Sequence, residues 1–525
     1  MSLLRSFATV GGATATSRVL GFVRDMFIAA ALGAGPVAEA YFVAQRLPNL
    51  FRRLFAEGAF ASAFIPLFAK AHQSEGIEGA RGFAEEALAS LAATLLLLTV
   101  IAEIAMVWLT FALAPGFAAE PDKFDLAVLL SRISFPYLAL ISLTSLLSGA
   151  LNGLGRFAAA AFAPSLLNAV LIATLIVLYA SGEIATVGAG VALTATATFG
   201  GVVQLAFLFF ACKRAGLILR PRWPRISEGM HRLLRLAGPS IIAGGIVQIN
   251  IVVGTIIASL QAGAVSWLYY ADRLYQLPLG IVGIAIGTVL LPDLAKALAS
   301  GRADLALRSQ NRSIEFAAAL TLPASIALLV IAHPIISVLF ERGAFSAADT
   351  AATAPALAAY ALGLPAFVAI KVLQPGFFAR EDTNAPMHYG AVSMIVNVVL
   401  AFGLFFLLQS WAWGQVGIAA ATSIAAWVNT ALLFRTLRQR GYFAADAELR
   451  RRLPLLGLVA LLMGGGLFIA NWMLEDLLGK GNLLTQTVAL AGLVIFGLAL
   501  FLVFCQLVGA FDFRILAKRL KRPAG

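Results

Sequence analysis

The chain has 525 residues, of which 61% are hydrophobic and only 12% are charged, and its mean hydropathy is +0.91. Soluble globular proteins are about 45 to 50% apolar and about 25% charged, so this composition argues against a water-soluble enzyme. In a soluble protein the formal net charge of +12 would suggest nucleic acid as a partner, but in a membrane protein the distribution of basic residues matters more.

Apolar stretches long enough to cross a membrane recur along the whole chain. A spanning helix needs about 20 apolar residues, and we predict an all-α polytopic membrane protein with fourteen such helices. They lie near residues 8–34, 40–69, 87–114, 127–153, 157–181, 185–211, 233–260, 265–295, 314–340, 352–379, 385–409, 414–437, 453–474 and 483–510.

Basic residues are concentrated in alternate loops between these helices. The rule that cytoplasmic loops are rich in Lys and Arg places the loop 212–235 in the cytoplasm, together with the loops that contain Arg302 and Arg438 and the basic tail beyond Arg514. The other loops, including the one with Lys123, contain few basic residues. This alternation agrees with fourteen helices and predicts a multi-pass protein with both termini in the cytoplasm.

Two halves of the chain resemble each other. YFVAQRL at 41–47 is similar to LYYADRL at 268–274, PLFAKA at 66–71 is similar to PDLAKA at 292–297, and Pro136 and Asn168 have counterparts in Pro365 and Asn397. Because six helices separate the copies, they share one orientation, which predicts two six-helix lobes in a parallel pseudo-twofold repeat. The predicted parts are an N-lobe at 1–212, a basic cytoplasmic loop at 213–232, a C-lobe at 233–440, and a C-terminal helix pair with a basic tail at 441–525.

Charged side chains lie in or beside three of the predicted membrane helices. Each ionised side chain at bilayer depth costs about 2.5 to 3.5 kcal/mol on insertion scales, so a cluster of them indicates a wet or protein-lined interior. The cluster contains six arginines and four acids: Arg18, Arg24, Arg46, Arg52, Arg53 and Arg273, with Asp25, Glu39, Glu57 and Asp272. Helical spacing gives two polar stripes, one of Arg46, Asn49, Arg53 and Glu57, the other of Ser266, Tyr269, Arg273 and Gln276.

The choice of arginine indicates the ligand. Guanidinium stays charged and binds phosphate oxygens bidentately, so the excess of positive charge favours a phosphate or pyrophosphate dianion between the lobes. The alternative is structural: some arginines pair with the acids or lie at the interface, and for Asp25, Glu57 and Asp272 pairing is the favoured role. Arg132, Glu103, Glu315 and Lys371 are solitary charges, for which we favour interfacial or packing roles.

The sequence offers no signature of catalysis or of a cofactor. Cys212 and Cys505 lie far apart in apolar stretches, and the four histidines show no spacing for a metal or a catalytic base. No phosphate-binding G-x-x-x-x-G-K-[ST] loop occurs. We therefore expect no metal and no cofactor, and transport driven by the membrane potential or a cation gradient.

Three long motifs carry a family resemblance: SRVLGFVRD at 17–25, the stretch 38–68 beginning AEAYFVAQRLPNLFRR, and the stretch 266–296 beginning SWLYYADRLYQLPLG. They resemble the MurJ (MviN) family of lipid II flippases, in the superfamily that includes multidrug and polysaccharide exporters. The resemblance covers essentially the whole chain. It implies fourteen helices, a C-terminal pair that forms a groove for the lipid tail, and transport of undecaprenyl-pyrophosphate-linked muropeptide to the outer leaflet.

The resemblance also implies roles for residues. By it Arg18, Arg24 and Arg273 hold the pyrophosphate, and Arg52 is a further essential basic residue. The supporting residues of the cavity are Ser17, Asp25, Glu39, Arg46, Arg53, Glu57, Ser266, Asp272 and Gln276. Glu39 stands where the family more often has aspartate. A sodium site of some members needs an acid in helix seven, where 248–259 offers only Gln248 and Asn250.

The leading hypothesis is a lipid II flippase that works by alternating access and supports cell wall synthesis. One alternative is a flippase for another polyprenyl-pyrophosphate-linked oligosaccharide. A second is a multidrug exporter, although cationic drugs would favour acidic residues over arginines in the cavity. A third is a membrane transferase, which would need a catalytic group in the short outer loops. Expected partners are lipid II and membrane lipids, with the cell-wall synthesis and division machinery as candidates and no nucleic acid.

Overall fold

The computed structural model describes residues 3–52, 60–220, 222–224 and 228–511. Within these ranges the regular elements are helices, and no β-strand occurs there. In chain order the α-helices are α1 Leu3–Leu32, α2 Pro36–Arg52, α3 Phe60–Ile104, α4 Met106–Leu113, α5 Pro121–Ser134, α6 Tyr137–Gly153, α7 Phe157–Ala180, α8 Val187–Arg214, α9 Glu228–Ala258, α10 Ala264–Ala299, α11 Ala303–Val330, α12 Ala332–Phe340, α13 Ala347–Phe378, α14 Asn384–Gln409, α15 Gly414–Gln439, α16 Ala447–Met473, α17 Glu475–Lys480 and α18 Leu483–Val508.

Ten segments of the described chain are helical, long and apolar enough to cross a membrane. They are Ala63–Ile104, Pro121–Gly153, Phe157–Ala180, Val187–Arg214, Ala303–Val330, Ala347–Phe378, Asn384–Gln409, Gly414–Gln439, Ala447–Met473 and Leu483–Val508. Large apolar side chains such as Leu498, Val503 and Leu507 lie exposed on these helices, as a lipid-facing surface requires. The predicted class, an all-α polytopic membrane protein, is confirmed, while the count of fourteen spans stays a prediction.

Three predicted membrane helices are each divided into two shorter ones. The predicted span 87–114 is divided at Ala105, between α3 and α4. The predicted span 127–153 is formed by α5 and α6, which are separated at Phe135 and Pro136. Proline has no amide hydrogen to donate and its ring restricts the residue before it, so the helix ends there and a new one begins. The predicted span 314–340 is divided at Ile331, and Pro334 lies in the first turn of α12, where a missing amide hydrogen is tolerated.

The predicted loop between the second and third spans is helical in the structure. Helix α3 runs through it, with a kink at Gly76, where φ is 68° and ψ is −162°. These angles are accessible to glycine and costly for other residues. The charged side chains of this stretch lower its hydropathy, yet Lys and Glu are good helix formers, so the helix continues through it.

The chain divides into two compact units: unit 1 contains residues 1–266 and 342–346, and unit 2 contains residues 267–341 and 347–525. In unit 1 one core cluster is built around Phe64 and Phe68 of α3, with buried residues of α6 and α8. In unit 2 a core cluster surrounds Phe377 and includes buried residues of α15 and the start of α16.

Small residues allow close helix packing where a side chain would collide. In unit 1 a Cβ added at Gly200 of α8 would lie 2.5 Å from Leu167 of α7. In unit 2 a Cβ at Gly466 of α16 would lie 2.5 Å from Leu500 of α18. Such contacts are typical of membrane helices, which associate through packing because lipid removes the hydrophobic drive between them.

Candidate functional site

The best-defined charged site in unit 1 lies where α1 packs against α7. The guanidinium of Arg24 donates to one oxygen of Asp25, from Nε at 3.1 Å and from Nη2 at 2.7 Å. Its Nη1 donates to the side-chain oxygen of Asn168 at 3.0 Å, and the amide nitrogen of Asn168 donates to the Ser17 carbonyl at 3.1 Å. Three directed hydrogen bonds therefore fix the plane of the Arg24 guanidinium.

Burial differs between the partners in this site. Asp25 is buried, with 3% of its side chain exposed, whereas Arg24 keeps 16% exposed. A ligand can therefore approach the exposed part of the Arg24 side chain, whose guanidinium carries five N–H donors. Arg18, six residues earlier on α1, is exposed and Ser17 is half-buried. The structure thus brings together Ser17, Arg24 and Asp25, and adds Asn168, which we did not predict.

Helix α2 carries Arg46 and Arg52, both half-buried. Arg52 lies in the last turn of α2, where a positive charge interacts favourably with the helix dipole. Asn49 donates from its side chain to the Gln45 carbonyl at 2.7 Å. Arg53 and Glu57, the other predicted members of this stripe, lie outside the described residues.

Glu39 lies in the first turn of α2 and forms a buried ion pair. One carboxylate oxygen is 2.6 Å from the ammonium group of Lys123, and the two side chains are 1% and 3% exposed. The other oxygen accepts from the amide of Val265 at 3.2 Å, and Lys123 also stacks over the ring of Phe117 at 4.2 Å. Glu39, predicted to support the cavity, is neutralised in the structure by a lysine that the charge pattern places in an outer loop.

In unit 2 the predicted arginine lies on α10. Arg273 donates from Nη2 to the hydroxyl of Tyr269 at 2.9 Å, and its guanidinium carbon lies 4.9 Å from the centre of that ring. On the same helix Gln276 donates to Asp272. Both of these pairs span one helical turn, so they orient Arg273 and Asp272, which are half-buried. Ser266, one of the predicted supporting residues, is fully buried.

Glu315 is not solitary, because it belongs to an ionic network between α11 and the start of α16. One of its oxygens is 2.5 Å from Arg452 and the other contacts Arg312. Arg312 also lies 2.5 Å from Asp446 and 2.9 Å from Glu448. With a side chain only 2% exposed, Glu315 needs both arginines, and the network ties the C-terminal helices to α11. The prediction that Glu315 is a solitary charge is therefore wrong, because two arginines contact it in the structure.

An apolar groove lies between α16 and α18 in unit 2. It is lined on one side by Leu462, Ile469 and Met473, and on the other by Phe496 and Phe504. Gly466 lies within it, where the absence of a side chain lets α16 pack closely against Leu500 of α18. A surface of this composition accommodates an alkyl chain and offers a polar ligand nothing to bind.

The site has the chemistry of anion binding, with directed guanidinium groups. In the described part of the chain no group of three or more His, Cys, Asp or Glu side chains could hold a metal ion. The partners that sequence reasoning missed are Asn168 and Lys123. Asn168 had one signal, its counterpart Asn397 in the repeat, whereas nothing in the sequence around Lys123 indicates its burial.

Comparison with known proteins identifies the family. The family model described as lipid II flippase MurJ matches residues 28–489. A probable lipid II flippase MurJ of Rhizobium meliloti is 49% identical over 100% of this chain and 97% of its own length. A solved structure of lipid II flippase MurJ in an inward closed conformation is 23% identical, covers 97% of this chain and 99% of its own, and has a TM-score of 0.78.

A more distant solved structure has a related fold. It is the inward-facing conformation of a multidrug resistance MATE family transporter of the MOP superfamily, 16% identical, with a TM-score of 0.64 over 81% of this chain and 94% of its own. At this identity the likeness concerns the fold alone. The family match, in contrast, extends over most of the sequence and includes the positions of Arg46, Arg52 and Arg273. The chain belongs to the MurJ family of lipid II flippases.

Proposed function

We propose that this protein moves lipid II, the polyprenyl-pyrophosphate-linked precursor of peptidoglycan, from the cytoplasmic to the outer leaflet of the bacterial inner membrane. The family is one of transporters, so the protein is a transporter and not an enzyme. The observation that carries the proposal at the level of chemistry is the fixed guanidinium of Arg24, held by Asp25 and Asn168 with part of its surface open.

A pyrophosphate needs several cations at once. In the proposed site Arg24 supplies a pre-oriented donor group, and Arg18, Arg52 and Arg273 supply the other charges. Tyr269 holds Arg273 through its hydroxyl and its ring. Arginine suits this task because its planar fork binds two oxygens of a phosphate together and loses little freedom in doing so. Acidic residues such as Asp25 partly neutralise the positive charge of the site when no ligand is bound.

The lipid tail needs a different surface. The groove between α16 and α18 is apolar along its length, with Leu462 and Phe496 on its opposite walls. We propose that the prenyl chain lies there and stays in the hydrocarbon while the headgroup crosses. Keeping the tail in the groove lowers the free energy needed for transport, because transfer of each CH₂ group from an apolar environment to water costs about 0.8 kcal/mol.

The proposed mechanism is alternating access between two six-helix lobes, 1–212 and 233–440, with both termini in the cytoplasm. The headgroup enters from the cytoplasmic side, the arginines bind its pyrophosphate, and rocking of the lobes opens the site outward. The membrane potential or a cation gradient resets the empty carrier: a unit charge moved through 100 mV changes the free energy by about 2.3 kcal/mol.

Another polyprenyl-pyrophosphate-linked oligosaccharide would present the same phosphates to the same arginines. Depletion of the protein in its own cells separates the two substrates. For a lipid II flippase, wall synthesis stalls and lipid II accumulates in the inner leaflet. Unchanged lipid II in the outer leaflet, with loss of a different surface glycan, would assign the protein to that glycan instead. The cell-wall synthases and division proteins are its proposed partners.

A further inference from the structure

The segment that follows α8 has two different faces. Leu217 and Leu219 are buried, whereas Ile218 between them is 51% exposed. This alternation is typical of an extended chain lying on a core, since successive side chains point to opposite sides. Leu217 and Leu219 belong to the core cluster around Phe64 and Phe68, so the inner face of the segment is fixed by packing.

A buried carboxylate also binds this segment. Glu85 of α3, whose side chain is 0% exposed, lies 2.6 Å from the guanidinium of Arg222 and 3.2 Å from that of Arg81. It also accepts a hydrogen bond from the backbone amide of Arg220 at 2.9 Å. Because Glu85 holds the backbone at Arg220 and the side chain two residues later, the outer face of the segment has a defined orientation.

The outer face is both basic and aromatic. Lys213, Arg214 and Arg220 are exposed, Arg222 keeps 54% of its side chain exposed, and Trp223 is 87% exposed. The sequence from 213 to 227 contains no acidic residue. A tryptophan with so much exposed surface is unusual where only water contacts it, because burial of its large ring is energetically favourable.

The position in the chain identifies what covers this face. Helix α8 is a candidate membrane span that ends at Arg214, so the segment begins at the membrane surface. Basic clusters beside a spanning helix attract anionic lipids, and tryptophan prefers the level of the headgroups. We propose that residues 213–220 and 222–224 form a binding surface for the phosphate headgroups of anionic phospholipids, with Trp223 inserted at the headgroup level. This surface is separate from the proposed transport site and does not depend on what is transported.

The test uses the full-length protein in vesicles of phosphatidylcholine and phosphatidylglycerol with matched acyl chains. One of the two lipids is brominated near the headgroup, so that it quenches nearby tryptophan fluorescence, and the contribution of Trp223 is the difference between the native protein and Trp223→Phe. We expect brominated phosphatidylglycerol to quench Trp223 about fivefold more than brominated phosphatidylcholine at equal mole fraction, since each basic residue at the surface attracts anionic lipid.

Two variants make the result specific. The first carries Lys213→Gln, Arg214→Gln and Arg220→Gln, and retains Arg222 and therefore the contact with Glu85. The matched control loses three exposed basic residues elsewhere, through Arg302→Gln, Arg308→Gln and Arg438→Gln. We expect the preference for phosphatidylglycerol to disappear in the first variant and to persist in the control.

Three outcomes would overturn the proposal. Absence of quenching by either lipid would place Trp223 away from the membrane. Equal quenching by both lipids in the native protein would deny the anionic preference. A preference that survives in the first variant, or that is lost equally in the control, would deny that these basic residues produce it.

Discussion

Arg24 and Asn168 are 144 residues apart in sequence, yet the Nη1 of Arg24 lies 3.0 Å from the side-chain oxygen of Asn168. The same amide binds the Ser17 carbonyl of α1 through its nitrogen. Asn168 therefore connects α7 to α1 at two points and sets the direction of the guanidinium. In the proposed function it is a positioning residue for the arginine that receives the pyrophosphate.

Replacing Asn168 tests this relationship. We expect Asn168→Ala to lower lipid II transport about tenfold or more, because a misplacement of about 1 Å at a binding group can cost 10²-fold. Binding of a soluble pyrophosphate to the purified protein, measured by calorimetry, should weaken in parallel. Asn397→Ala is the matched control at the corresponding position of the repeat. An Asn168→Ala protein with native transport would contradict the positioning role.

The arginines themselves should differ in importance. Arg24→Ala and Arg273→Ala should each abolish complementation of a depleted strain while the protein still inserts in the membrane, because each removes a cation from the proposed site. Arg132→Ala should be milder, since Arg132 lies outside the set of arginines proposed to bind the pyrophosphate. Quantitative immunoblots of the membrane fraction control for insertion. Equal tolerance of all three substitutions would contradict an arginine-lined site.

The buried pair of Glu39 and Lys123 should act on stability. Lys123→Met leaves the buried charge of Glu39 without its lysine, which typically costs 3 to 5 kcal/mol, so it should lower the melting temperature of the purified protein strongly. Glu39→Met should lower it less, because Lys123 keeps Glu120 at 3.3 Å. The double variant should recover most of the loss, because it buries no unpaired charge. A double variant as unstable as the sum of the two single variants would show that the pair does not couple.

The acid sensitivity of the protein should depend on Asp446 and Asp382, which lie outside the membrane spans. Burial raises the pKa of Asp446, but donation from the Leu449 amide and the charges of Arg312 and Arg452 outweigh it, so its pKa lies below the usual aspartate value. Donation from the Ala385 amide, with the ion pair to Arg440, lowers the pKa of Asp382 against a smaller effect of burial.

A carboxyl group whose pKa is lower in the folded protein than in the unfolded chain stabilises the fold at pH values above its unfolded pKa. This stabilisation is lost as the pH falls through the pKa of the folded protein. The melting temperature should therefore fall as the pH drops below about 4, where aspartate begins to be protonated. Asp446→Asn keeps a side-chain oxygen that can cap α16 and removes the charge. It should be less stable than the native protein at neutral pH and should lose less on acidification. Parallel pH profiles for the two proteins would contradict this.

Some features of this structure can be predicted from the sequence. The other features cannot, for reasons that are physical. Hydropathy and charge alternation predict the membrane class, and the motif around Arg24 identifies its helix. Asn168 is brought to Arg24 by tertiary packing of α1 on α7, which no local pattern encodes beyond the repeat. The burial of Lys123 depends on packing among segments that are distant in sequence, and the break at Ile331 has no proline at the break itself to announce it.

Leaflet-resolved translocation of lipid II in vesicles that contain the purified protein, with and without an imposed membrane potential, measures directly whether the protein moves lipid II. An impermeant enzyme that modifies only outward-facing headgroups reports the fraction that has crossed. We expect crossing that depends on the protein and that Arg24→Ala abolishes. Crossing that is equal in protein-free vesicles, or that persists undiminished with Arg24→Ala, would contradict it.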